Sequence, residues 1–195
     1  ALSTPPGKSA IAVIRVSGKK VLKIFKQLTK KSKITPNKTN LVFLKNKDAL
    51  IDQVLVIYFK SPNSFTGEDV LEINCHGGLA VIDKIYKTLE DVGARLAEPG
   101  EFTKRALLNN KIDLVKTESI SDIINAETEK QRELAIKNIS GGLSEFTREI
   151  NKKITTNLAN LETLIDFSDE DLPKNVLKKI KEQNKNIIKD ISKEL

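Results

Sequence analysis

A few side chains in this sequence are of types that do chemistry and stand where their presence needs a reason. Glu72 lies inside the apolar run Val70-Leu71-Glu72-Ile73. Burying a carboxylate without a partner is costly. Glu72 therefore calls for a neighbouring cation, an exposed face or a ligand. Arg15 is likewise embedded, between Ile14 and Val16. It can face water from an edge strand, or aim its fork of donors at a carboxylate or phosphate. Lys111 follows Asn109-Asn110 at a helix end. If Glu72, Arg15 and Lys111 converge, the carboxylate can accept two parallel hydrogen bonds from an amidine-like N–C–N edge, as in a pterin or guanine ring. The two cations would suit carboxylates or phosphates on the same ligand. The alternative is that each charge faces water from a half-exposed element.

The only histidine, His76, follows the only cysteine, Cys75. Neighbours on a strand point to opposite faces, which argues against a Cys–His nucleophile pair. His76 reads first as a hydrogen-bonded structural residue. Gly77-Gly78 at a helix start is either a plain tight turn or a place where free backbone N–H groups meet an anion. No Gly-x-x-x-x-Gly-Lys-Ser/Thr loop is present, and no Cys/His spacing suggests a metal site.

The elements that must position these groups alternate between strand and helix in the first part of the chain. Apolar runs predict strands over 11–16, 41–44, 51–59 and 70–76, and a short one over 95–97. Short turns between successive runs point to antiparallel pairing. Helical spacing appears over 18–29, where Val21, Leu22, Phe25 and Leu28 oppose Lys19, Lys23, Lys26 and Lys30. It returns from 78 to Gly93 and from Pro99 to Asn110.

From Asp113 onward strand-like runs stop. A helix over 114–126 leads to Thr128-Glu129-Lys130-Gln131, a capping-box pattern. Ile139, Leu143, Phe146, Ile150, Ile154, Leu158, Leu161 and Ile165 then recur at steps of three and four. One continuous helix over 128–165 would be roughly 57 Å long, unless Gly141-Gly142 kinks it. An acidic break over 166–173 precedes a last helix. So long an apolar seam needs partner helices. The expected class is α+β: an N-terminal mixed β-sheet domain over 1–112 with packed helices, then an elongated all-α domain over 113–195.

Composition bounds the rest. Hydrophobic residues are 39% and charged residues 30% of the chain, as in a soluble globular protein. No apolar run is long enough for a membrane span, and one cysteine excludes an internal disulfide. Together these suggest the cytoplasm. The net charge is +7 and uneven: twelve Lys/Arg precede the first acidic residue, Asp48. Such a block suits a polyanionic partner. A lysine-rich sequence that merely solvates itself would look the same.

Several motifs carry a resemblance. Thr4-Pro5-Pro6-Gly7, Ile14-Arg15-Val16-Ser17-Gly18, Ser64-Phe65-Thr66-Gly67-Glu68-Asp69, His76-Gly77-Gly78, Pro99-Gly100-Glu101-Phe102-Thr103-Lys104-Arg105-Ala106 and Asn109-Asn110-Lys111-Ile112-Asp113-Leu114 closely resemble the MnmE (TrmE) family of tRNA-modification GTPases. Asp166-Phe167 and Glu170 fit its helical domain. The resemblance implies an N-terminal domain that is aminomethyltransferase-like in fold, binds a formyl- or methylene-tetrahydrofolate and forms a homodimer. Arg15, Glu72 and Lys111 match the family's folate-binding positions; His76, Gly77 and Gly78 would support that pocket. The resemblance also implies a flavoprotein partner, MnmG, and a tRNA whose wobble uridine is modified. It implies GTP hydrolysis with Mg2+ and K+ by a domain that follows the first helical segment. No catalytic residue is expected within these 195 residues. The chain is expected to be part of a longer enzyme, without GTPase activity by itself. The rival reading is a basic RNA-binding or assembly scaffold with no small-molecule site.

Overall fold

A computed structural model describes residues 1–166 and 175–194. Contacts divide the chain into two compact units, Ala1–Asp113 and Leu114–Leu195.

The first unit is one four-stranded sheet with helices on one face. The strands are β1 (Ser9–Ser17), β2 (Thr39–Asn46), β3 (Ala49–Phe59) and β4 (Val70–Gly77), and their order is β1-β4-β3-β2. All three neighbouring pairs are antiparallel, so the sheet expected to be mixed is not. A parallel neighbour needs a crossover between adjacent strands. The crossover from β1 through α1 (Val21–Thr29) to β2 joins opposite edges of the sheet instead.

Period-2 alternation sorts the strand side chains. Ala12, Ile14, Val42, Leu44, Val54, Val56, Tyr58, Leu71, Ile73 and Cys75 are buried in one core with residues of α1 and α2 (Leu79–Asp91). Helix α1 contributes Val21, Ile24, Phe25 and Leu28; Leu22, expected on that face, is exposed, and Ile24 takes its place. It begins three residues later than expected, because Gly18 adopts φ 132° and turns the chain first. Burying each such side chain is worth about 1.5–3 kcal/mol.

The segment expected as a strand over 95–97 is irregular. The edge of β1 is already taken, with Ser3 donating to the Val13 carbonyl and Arg15 to the Ala1 carbonyl. Arg95 instead donates through its guanidinium to Leu96 and Glu101. Helix α3 (Glu101–Leu108) completes the unit, entered through Gly100 at φ 73°.

The second unit is all helical: α4 (Leu114–Ile124), α5 (Glu129–Ile139), α6 (Gly142–Asp166) and α7 (Val176–Glu194). The capping box at Thr128 and Gln131 forms in both directions. The helix expected over 128–165 is two helices, separated where Gly141 takes φ 104°. Ile150, Ile180 and Ile187 are buried, while Ile154, Leu158 and Ile165 of the same seam are exposed. Of the acidic break expected over 166–173, Asp166 is the last residue of α6 and the remainder lies outside the described residues.

Candidate functional site

The face of the sheet opposite the helices carries the polar chemistry. Its rungs can be read across all four strands. Thr39, Ile57, Glu72 and Arg15 form one rung; Leu41, Leu55, Asn74 and Val13 form the next. In the first rung Arg15 Nε donates to Glu72 Oε1 at 2.7 Å. The Glu72 side chain is 19% exposed and that of Arg15 39%. Strand alternation thus resolves the embedded charges. Both leave the core by pointing to the other face, where they are directly opposed. The second rung sets the open Leu41 and Leu55, 58% and 44% exposed, beside the polar Asn74, and beyond it Phe43 and Ile11 are exposed on the two edge strands.

The beginning of β4 is fixed by the loop Ser64–Asp69, which is dense in hydrogen bonds. Thr66 is fully buried, and its hydroxyl meets Ser17 Oγ of β1 at 2.8 Å. Ser17 also donates to Glu68 Oε2 at 2.9 Å. Arg105 of α3 spans two carboxylates, donating to Glu68 at 2.8 Å and to Glu101 at 2.6 Å. Glu101 additionally receives both terminal nitrogens of Arg95 and the Glu98 backbone N–H. Hydrogen bonds from Arg95, then from the Glu98 N–H and Arg105, hold the Glu101 carboxyl well below the usual range. Asp69 accepts from Tyr58 Oη at 3.0 Å. Burial, with Asp69 alongside, pushes the Tyr58 phenol up to about 12.

Lys111 reaches this same loop. Asn109 Nδ2 donates to the Thr66 carbonyl at 2.7 Å. The Lys111 stem lies so close over Gly67 that an added Cβ there would sit 3.1 Å from Lys111 Cγ. Gly67 is also at φ 75°, so a side chain at this position would meet both strain and crowding. Lys111 takes part in none of the ion pairs among the described residues. Glu72 lies three residues beyond the loop and Arg15 two before Ser17. One loop therefore connects the elements that carry Arg15, Glu72 and Lys111.

His76, Gly77 and Gly78 lie toward the far end of β4. His76 is four residues from Glu72, about 13 Å along an extended strand. Its Nδ1 is 2.7 Å from Asp52 Oδ1, and its backbone N–H donates to Asp52 Oδ2 at 2.9 Å. Gly77 has a packing reason: an added Cβ would collide with Ser9 Oγ and lie 2.5 Å from the Ser9 carbonyl oxygen. Gly78 is the N-cap of α2. Cys75 is buried on the core face while His76 is exposed, so the two side chains point apart. Burial, with Asp52 nearby, raises the Cys75 thiol to about 11. Among the described residues no group of three or more His, Cys, Asp or Glu side chains offers a set of metal ligands. Nor is any described helix long and apolar enough to cross a membrane.

Sequence reasoning did not single out Ser17, Thr66, Glu68, Glu101, Arg105 and Asn109 as one network. A partial signal was present: Glu101 and Arg105 stand at i,i+4 on a helix, the spacing of a side-chain pair.

Comparison with known proteins agrees over both units. A family model described as GTP-binding protein TrmE N-terminus matches residues 1–111, and one described as MnmE helical domain matches residues 114–195. The tRNA modification GTPase MnmE of Clostridioides difficile (strain 630) is 43% identical over 199 residues, covering 99% of this chain and 43% of that protein. The protein of the same name from Rickettsia bellii (strain OSU 85-389) is 46% identical over 198 residues, covering 100% and 44%. That from Fervidobacterium nodosum is 47% identical over 181 residues, covering 89% and 39%. The chain spans less than half the length of these relatives.

Proposed function

The chain belongs to the MnmE (TrmE) family, and from that premise we propose that it is the folate-binding, dimerising N-terminal part of a tRNA-modifying GTPase. The observation that carries this reading is the Arg15–Glu72 rung. Glu72 is a half-buried carboxylate with one oxygen taken by Arg15 and no other partner among the described hydrogen bonds. It stands on an open sheet face rather than in the core. A pterin N–C–N edge supplies the two parallel donors such a carboxylate accepts. Arg15 and Lys111 would hold the carboxylates of the same ligand, and the Ser64–Asp69 loop would keep Lys111 in place. The folate, as its formyl or methylene derivative, would supply a one-carbon unit. In this chain the residues bind and orient it.

The leucines of the rung beside Glu72 support a second element of the reading. The exposed patch of Leu41, Phe43 and Leu55 on β2 and β3 is of the kind that partners cover. A second copy of the first unit seated there would form a homodimer and close the ligand site. The longer enzyme would hydrolyse GTP with Mg2+ and K+ in the cytoplasm, and would act with the flavoprotein MnmG on the wobble uridine of tRNA. It would install a carboxymethylaminomethyl-type group there. The family relationship supports these steps, and the site residues named here do not carry them out.

Calorimetric titration of formyl-tetrahydrofolate into the 195-residue chain tests the proposal, with the dimer verified by sedimentation. Saturable binding at one site per protomer is the expected result. A verified dimer that takes up no folate contradicts it.

A further inference from the structure

We propose that the lysine face of α1, together with the cavity between Lys30, Lys45 and Lys47, is a docking surface for the phosphodiester backbone of RNA. Helix α1 turns Val21, Ile24, Phe25 and Leu28 inward and leaves Lys23 and Lys26 exposed, with Lys19, Lys20 and Lys30 exposed at its ends. Lys23 and Lys26 stand at i,i+3 within the helix, so their like charges share one side and repel; Lys19 and Lys20 precede the helix and Lys30 follows it. No Asp or Glu precedes Asp48 in the sequence; Glu90 of α2 shares a cavity lining with Lys19 and Lys20, and none of these lysines joins an ion pair among the described residues.

The C-terminal end of α1 borders a cavity of about 490 Å³ whose lining includes Lys30, Lys45, Asn46, Lys47 and Asp91. Asn46 Nδ2 contacts the Asp91 carboxylate at 3.4 Å, and among the described residues no ion pair includes that carboxylate. Two of the cavity lysines stand where lysine is a poor local choice. Lys30 has φ 57° in the C-cap position of α1 and Lys47 has φ 55° in the β2–β3 turn. Both are left-handed positions that Gly or Asn fills at less cost. A charge kept at a strained position suggests that the charge is used.

Lysine richness alone does not produce this pattern. Helix α7 is also rich in lysine, with Lys178, Lys179, Lys181, Lys185, Lys189 and Lys193, yet its sequence interleaves Glu182, Asp190 and Glu194, and Asp190 is paired with Lys153. Helix α1 itself holds no acidic residue, and at its C-terminal end Lys30, Lys45 and Lys47 outnumber the neighbouring Asp48 and Asp91. RNA is the polyanion chosen because the chain belongs to a family of tRNA-modifying enzymes; to that extent the inference rests on the reading above.

The test measures binding of a labelled tRNA transcript to the 195-residue chain across a salt series. Three variants are compared: K30Q/K45Q/K47Q, the equal-charge control K178Q/K181Q/K185Q on α7, and K30N/K47N, whose asparagines suit the left-handed backbone. The cavity triple is expected to weaken binding at least tenfold at low salt. It should also reduce the slope of log K against log salt by about 2, as loss of two to three phosphate contacts requires. The asparagine pair should weaken binding while melting no lower than the unaltered chain. The α7 control should change affinity less than twofold. Failure of the unaltered chain to bind tRNA, equal losses in both triples, or equally tight, cavity-dependent binding of polyglutamate would each overturn the proposal. Formyl-tetrahydrofolate titrated in parallel separates the two readings. Folate binding that survives the cavity triple leaves the folate site standing whatever the RNA result. Loss of folate binding in the unaltered chain with tRNA binding intact sinks only the folate reading.

Discussion

Arg15 of β1 and Glu72 of β4 are direct cross-strand partners, joined from Nε to Oε1 at 2.7 Å on the face of the sheet opposite α1 and α2. The pair is partly solvated, with 39% and 19% of the two side chains exposed. Pairs of that kind contribute little to folding. A double-mutant cycle of Arg15→Ala and Glu72→Ala, followed by urea unfolding, should give a coupling of about 0.5–1 kcal/mol. A coupling above about 2 kcal/mol would make the pair a structural staple rather than a site kept available for a ligand.

Glu101 should govern acid stability of the first unit. Its carboxyl is held low, first by Arg95, then by the Glu98 N–H and Arg105. A group whose folded value is depressed contributes stability that is present above the ordinary carboxylate value, 4.5 here. That stability is lost as pH falls below it toward the folded value. Thermal melts from pH 7 to about pH 2.5 should therefore fall steeply in the acid range for the unaltered chain. Glu101→Gln should melt lower at pH 7 and lose much of that acid dependence. Parallel curves for the two proteins would contradict the role given to Glu101.

Cys75 should be inert while the fold is intact. Burial, then the nearby Asp52, raises its thiol to about 11, which leaves about one thiol in ten thousand ionised at pH 7. Its side chain points into the core, away from His76. Iodoacetamide labelling followed by mass spectrometry should be slow in buffer and rapid in urea. Fast labelling of the native chain would reopen the Cys75–His76 pair as chemistry.

Much of this architecture could be read from residue pattern alone. Alternation placed the four strands, and the i,i+3/i+4 faces placed the helices, because both periods follow from where successive Cβ atoms point. The capping box at Thr128 was legible because both partners lie within four residues. What required coordinates was pairing at long range. That Glu72 faces Arg15, 57 residues earlier, depends on the register of β1 against β4, which no local period encodes. The segment over 95–97 had strand-like composition but no free edge to join, since the chain start occupies β1. The Glu68–Arg105–Glu101 network was missed for a related reason. Its members look solvated one at a time and gain their role only when α3 packs beside the Ser64–Asp69 loop.

The central claim is that Glu72 is a ligand group. Titration of formyl-tetrahydrofolate into the unaltered chain, Glu72→Ala and Asp83→Ala tests it most directly, with circular dichroism confirming that all three are folded. Asp83 is an exposed acid on α2, in the helix layer on the other side of the sheet. The expected result is at least a tenfold loss of affinity for Glu72→Ala, or about 1.4 kcal/mol or more, with Asp83→Ala unchanged. Equal affinity across the three proteins would contradict the account and return Glu72 to the status of a partly solvated partner of Arg15.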